Sequence, residues 1–147
     1  MSNEKHIRTS KMLSLIYKTN DIGNFIKNNS GNMETRRLTD YLKDLCREKN
    51  FVQEHVIIRS DIDRTYGHQI FRGLHKPSRD KTIQLAFGFG LTVEETQVLL
   101  RFAKHSTLYP KIKRDAVIIF CLHRKKTTFE TQDLLYELGL SILGGSI

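Results

Sequence analysis

"VQEHVIIRSDIDRTYGHQIFRGLHKPS", residues 52–78, holds two runs of helical spacing separated by a polar break. The first run begins near Gln53 and carries Val56 and Ile57. Ser60 to Asp63 reads as a tight turn, in which Asp61 tolerates a left-handed backbone and Asp63 can cap the run that follows. That second run ends at Gly73, the residue type suited to a left-handed stop. Pro77 then bars helix, and Ser78 can cap the next one. One residue breaks the pattern. Gly67 stands inside the second run, where glycine costs about 1 kcal/mol relative to alanine, so its presence requires a reason.

Outward from this stretch, apolar spacing of three and four recurs along the whole chain, and no segment alternates long enough for a half-buried strand. The fold class expected is all-α. Upstream, Thr39 can cap a helix running to Lys49, with Leu42, Leu45 and Cys46 on one face and Asn50 at a left-handed stop. Before it lie a short helix around Met12 to Tyr17 and a second capped by Asp21, with Ile22, Phe25 and Ile26 on one side. "NNSGN" (28–32) reads as a linker.

Downstream the sequence repeats itself. Shifted by 35 residues, "RDKTIQLAFGFGLTVEETQVLL" (79–100) lies over "RDAVIIFCLHRKKTTFETQDLL" (114–135) with 9 identities in 22 positions, among them Arg79/Arg114, Asp80/Asp115 and Gln97/Gln132. Each copy carries a Thr-x-x-Glu capping box, Thr92 with Glu95 and Thr127 with Glu130, so the unit reads as a helical hairpin used twice. Gly88 and Gly90 read as ordinary caps at a helix end.

A chain of 147 residues with 39% hydrophobic content supports about one domain and a modest core. Neither a signal peptide nor a membrane span can be drawn, so a cytoplasmic, nucleoid-associated protein with no membrane partner is expected. Cys46 and Cys121 lie in apolar helical stretches and read as reduced core residues. The six histidines have no HExxH or Cys-x-x-Cys context, "DID" (61–63) is explained by a turn and a cap, and no glycine loop suits a phosphate. Neither catalysis nor a metal or other cofactor is expected. Lysine and arginine outnumber aspartate and glutamate 24 to 16, a balance of +8 that favours a polyanionic partner. The basic runs "KIKR" (111–114) and "HRKK" (123–126), taken singly, read as solvated faces.

The opening stretch resembles the Xre/Cro repressor-type helix-turn-helix, in which Gln-Glu-x-Leu-Ala-x-x-Ser-Gly-Val-Ser precedes a recognition helix and Gly-x-x-x-Pro-Ser follows it. Gln53, Glu54, Ser60, Ile70, Gly73, Pro77 and Ser78 match without gaps. With the flanking helices the resemblance covers about residues 38–103, and the whole chain is similar to the longer Xre-type proteins of Firmicutes. It implies a bacterial, sequence-specific double-stranded DNA-binding transcriptional regulator that works as a homodimer on inverted half-sites. It also implies a five-helix repressor-like domain extended by a second helical hairpin and short N-terminal helices. The segments would be 1–35, an N-terminal appendage and linker; 36–104, the helix-turn-helix domain; and 105–147, a C-terminal hairpin and tail.

Carried over by position, Gln53 would touch phosphate, while Arg64, Thr65, Tyr66, His68 and Gln69 would face the major groove. Side-chain chemistry agrees, since arginine clasps guanine and glutamine clasps adenine bidentately. Arg72, Lys76 and Arg79 flank the helix end and suit phosphate, and His75 is a further candidate there. The family has alanine where Ile57 stands and a branched apolar residue where Gly67 stands. Large and small have changed places, which accounts for Gly67 as room made for Ile57. The rival expectation is a helical interaction adaptor or antitoxin-like protein. It would grip a protein partner through the C-terminal hairpin, with "AVIIFCL", and the tail "LGLSILGGSI" (138–147).

Overall fold

The computed structural model describes residues 9–33 and 37–145, with backbone only for 30–33. The chain divides into two units, residues 1–36 and 37–147. In the first, α1 spans Thr9–Lys18 and α2 spans Ile22–Met33. Asp21 caps α2 as expected, its Oδ1 accepting from the Asn24 amide at 3.1 Å. The linker reading of 28–32 is corrected, because α2 runs through those residues. Asparagine has low helix propensity but does not break a helix, and the Asn29 side-chain amide bonds back to the Phe25 carbonyl within the same helix.

The second unit contains α3 (Leu38–Lys49), α4 (Gln53–Arg59), α5 (Arg64–Phe71), α6 (Arg79–Phe89), α7 (Val93–Phe102), α8 (Lys113–His123) and α9 (Thr128–Glu137). No strand occurs among the described residues, so the chain is all-α there. Helix α3 begins before the expected cap: Arg37 occupies the N-cap with no side-chain bond, and Thr39 lies inside the first turn. Asn50 takes the left-handed stop at φ 57°.

Helix α6 is the axle. Every residue from Thr82 to Phe89 is buried, and α3, α4, α7 and α9 all pack on it. Gly88 is therefore not a cap. A Cβ there would collide with the Ser60 hydroxyl and lie 2.7 Å from the Val56 carbonyl, so glycine lets the backbones of α4 and α6 approach. Gly90 alone caps α6, at φ 68°. Gln84, 1% exposed, donates through Nε2 to the carbonyls of Ser60 and Asp61 and so anchors the turn between α4 and α5 to the axle.

The 35-residue repeat is structural, and it reaches further than the sequence identities do. Both capping boxes form. Gln97 exchanges two hydrogen bonds with the backbone of Leu108, and Gln132 does the same with Leu143. Left-handed backbone recurs at Gly90 and Lys125 and again at Lys104 and Gly139, each pair 35 apart with glycine and lysine trading places. The copies are joined by a crossed clamp: Arg79 pairs with Asp115 at 2.9 Å, and Arg114 with Asp80 at 2.8 Å. Helix α6 packs on α9 and α7 on α8, so contact i-to-j is answered by j-to-i, the signature of an approximate internal two-fold.

Residues 138–145, which follow α9, are part of this arrangement rather than a free extension, and the last two residues of the expected tail lie outside the described residues. Arg114 takes the carbonyls of Ser141 and Ile142, the Gly144 amide bonds Asp80, and Leu143 is 2% exposed in the core. Residues 105–145 share one hydrophobic cluster with α3 to α7 through Leu108, Ile118, Cys121, Leu122, Leu135 and Leu143. The boundary expected at 104/105 separates no two cores. No helix among the described residues is long and apolar enough to cross a membrane.

Candidate nucleic-acid interface

Helices α4 and α5 meet through a turn that the sequence builds residue by residue. Ser60 ends α4 and folds its hydroxyl back to the Val56 carbonyl at 2.7 Å. Asp61 takes φ 58°, and the Asp63 carboxylate accepts from the Tyr66 amide to start α5. Ile62, 6% exposed, pins the turn into the core. A Cβ on Gly67 would stand 2.5 Å from Cγ2 of Ile57, which is fully buried. Gly67 faces α4 and makes room for Ile57.

With Gly67, Ile70 and Phe71 turned inward, the opposite side of α5 is polar. Arg64 and Thr65 are exposed at its first turn, and Arg72 and Lys76 are exposed beyond its end. Gln53, Tyr66, His68 and Gln69 are half-buried. The Tyr66 ring stacks on His75 with centroids 5.1 Å apart, so tyrosine forms a shoulder of the face rather than reaching freely outward.

Glu54 organises this face. Its Oε2 accepts from Arg64 Nε at 2.7 Å, and its Oε1 lies 2.7 Å from His68 Nε2. The other ring nitrogen, His68 Nδ1, lies 2.7 Å from the side-chain amide of Gln53. An ionised carboxylate can only accept, so His68 donates from Nε2 and accepts at Nδ1 from Gln53. The His68 hydrogen bond, followed by that of Arg64, holds the Glu54 carboxyl below the usual carboxylate range. Arg64 bonds Glu54 through Nε while its side chain stays 72% exposed, so its two terminal nitrogens remain available to a bidentate acceptor.

One expected phosphate contact is corrected. Arg79 spends its donors inside the protein, on the carbonyls of Ser106 and Thr107 and on both oxygens of Asp115, a residue 3% exposed in its side chain. The expectation that His68 faces a base is corrected as well, because both of its ring nitrogens are engaged, by Glu54 and by Gln53. Arg64, Thr65, Tyr66 and Gln69 lie on α5, Gln53 opens α4, and Arg72 and Lys76 are exposed beyond the end of α5. Sequence reasoning missed Glu54 as an organiser, although it is one of the residues matching the family motif. It also missed Gln84, which no local pattern separates from its apolar neighbours. Among the described residues no three histidine, cysteine, aspartate or glutamate side chains lie together as a metal site would require. No protein-family model, no curated protein and no solved structure matches the chain.

Proposed function

We propose that the second unit is a repressor-type helix-turn-helix regulator, with α3 to α7 as its five helices and α5 lying in the major groove of double-stranded DNA. The observation that carries this reading is the polar side of α5, where Arg64 stands open and is oriented by Glu54. In this reading the Arg64 fork reads a guanine, Gln69 and Thr65 read neighbouring bases, and Gln53, Arg72 and Lys76 hold phosphates. Two copies would engage half-sites about 34–36 Å apart. The net charge of +8 supports a polyanionic partner in general and says nothing of sequence.

A second reading, a protein-interaction adaptor, draws support from exposed apolar side chains on the second hairpin. Phe120, Phe129, Tyr136 and Leu138 are 43–79% exposed. One experiment separates the two. Purified protein is offered random duplex DNA, and the enriched sequences are retested by gel shift across salt concentrations. Groove reading predicts an enriched site, affinity that falls steeply with salt, and a loss of about 1–3 kcal/mol with relaxed preference at one base in Arg64→Ala. An unenriched pool, with binding indifferent to Arg64, would leave the adaptor reading.

A further inference from the structure

On a different part of the second unit, a concave pocket of about 230 Å³ opens between the end of α4, the end of α6 and the turn joining α8 to α9. Its floor is apolar, with Phe87, Leu91 and Leu122 all buried. Phe51 and Phe129 stand at its mouth, 36% and 50% exposed, with Arg59 lying over one face of the Phe51 ring. Leaving two phenylalanines in water is unfavourable by roughly 25 cal/mol for each Å² exposed.

The polar part of the lining has one sign. Arg59, Lys125 and Lys126 line the pocket, and no carboxylate does. None of the three forms an ion pair among the described residues. Arg59 is held in place, its guanidinium 4.5 Å over the Phe51 ring and its Nε donating to the Gly88 carbonyl at 2.9 Å. Glu130, the acid near Lys126, accepts from the Thr127 amide in its own capping box and still feels the Lys126 charge, but it does not line the pocket. That box uses the amides of Thr127 and Glu130, so those of Thr128 and Phe129, two residues that line the pocket, have no intrahelical partner.

We propose that this pocket binds a small amphipathic monocarboxylate. Its apolar body would lie on Phe87 and Leu122 between the two phenylalanines, and its carboxylate would lie on Arg59 and Lys126. The volume falls below the range of about 300–1,000 Å³ usual for drug-sized ligands, so the body is a single ring or a short alkyl chain. A bare phosphate matches the cations but leaves the apolar floor and mouth uncovered. The inference stands whether or not α5 reads DNA, although the pocket touches α4: the Thr128 hydroxyl donates to the Arg59 carbonyl at 2.8 Å.

The test is an amide-resolved NMR titration of the full chain with 3-phenylpropionate, its uncharged amide and inorganic phosphate. The expected result is saturable shifts at Gly90, Thr128 and Phe129 with the carboxylate, at an affinity about tenfold above that of the amide. Lys126→Met and Arg59→Met should each weaken binding about tenfold, whereas Lys111→Met, outside the pocket, should not. If Arg59→Met fails to fold for want of its Gly88 bond, Lys126→Met decides alone. Equal binding of amide and carboxylate, equal shifts with phosphate, or shifts that never saturate would each refute the proposal.

Discussion

A missing methyl group sets how closely α5 can lie against α4. Ile57 fills the space that a side chain at Gly67 would need, and both are sealed from solvent. Gly67→Val should therefore destabilise the fold by about 1–3 kcal/mol through overpacking, and Ile57→Ala by about 2–5 kcal/mol through a cavity. The double mutant should cost well under the sum, because each change relieves the other. Urea unfolding followed by ellipticity checks this, and the absence of tryptophan rules out indole fluorescence as the probe. Strict additivity would mean that the two residues are independent. This pair was legible because glycine inside a helical pattern is an anomaly with few physical explanations. Arg79 was not, since its basic character is equally suited to phosphate or carboxylate and its partner Asp115 lies 36 positions away. Both residues nevertheless stood among the repeat identities.

At the level of elements, local chemistry read well wherever the stabilising group is near in sequence. Asp21, Asp63, Ser78 and both threonine capping boxes form as expected, because each uses an amide three residues on. Gly88 was misread because the atom it accommodates, the Ser60 hydroxyl, arrives from another helix. The crossed clamp between the hairpins leads to a pH prediction. Burial of Asp80 opposes its ionisation, but the Arg114 and Gly144 hydrogen bonds and the charges of Arg114 and Arg79 outweigh it and hold the carboxyl below its ordinary value. A group depressed in the folded state contributes its full stability above the unfolded value, near pH 3.9, and loses it as pH falls through the folded value. Thermal unfolding from pH 6 down to pH 2.5 should accordingly decline less steeply in Asp80→Asn than in the parent. Identical slopes would show that Asp80 contributes no titrating stability.

For the molecule as a whole, α6 makes the two hairpins and the α4–α5 pair one cooperative body. Leu135 and Leu143 sit in the same cluster as Leu42 and Ile57. A fragment ending at residue 104 should lose helical ellipticity and unfold without a sharp transition, because it strips α6 of α9 and leaves Arg79 without Asp115. A fragment that melts cooperatively near the parent temperature would contradict this. The single core was not legible in advance, because the family resemblance ends near residue 103 and the repeat alone does not say which faces of its copies meet.

The crossed clamp also gives the protein a built-in control experiment. Chemically the two joints are twins, an arginine fork on a carboxylate with two further carbonyls, but Asp115 is 3% exposed and Asp80 is 26% exposed. The same bond thus lies at two depths within one chain. Identical replacements at the paired positions can be compared with temperature, ionic strength and host protein held constant, and the more deeply immersed joint should show the larger loss.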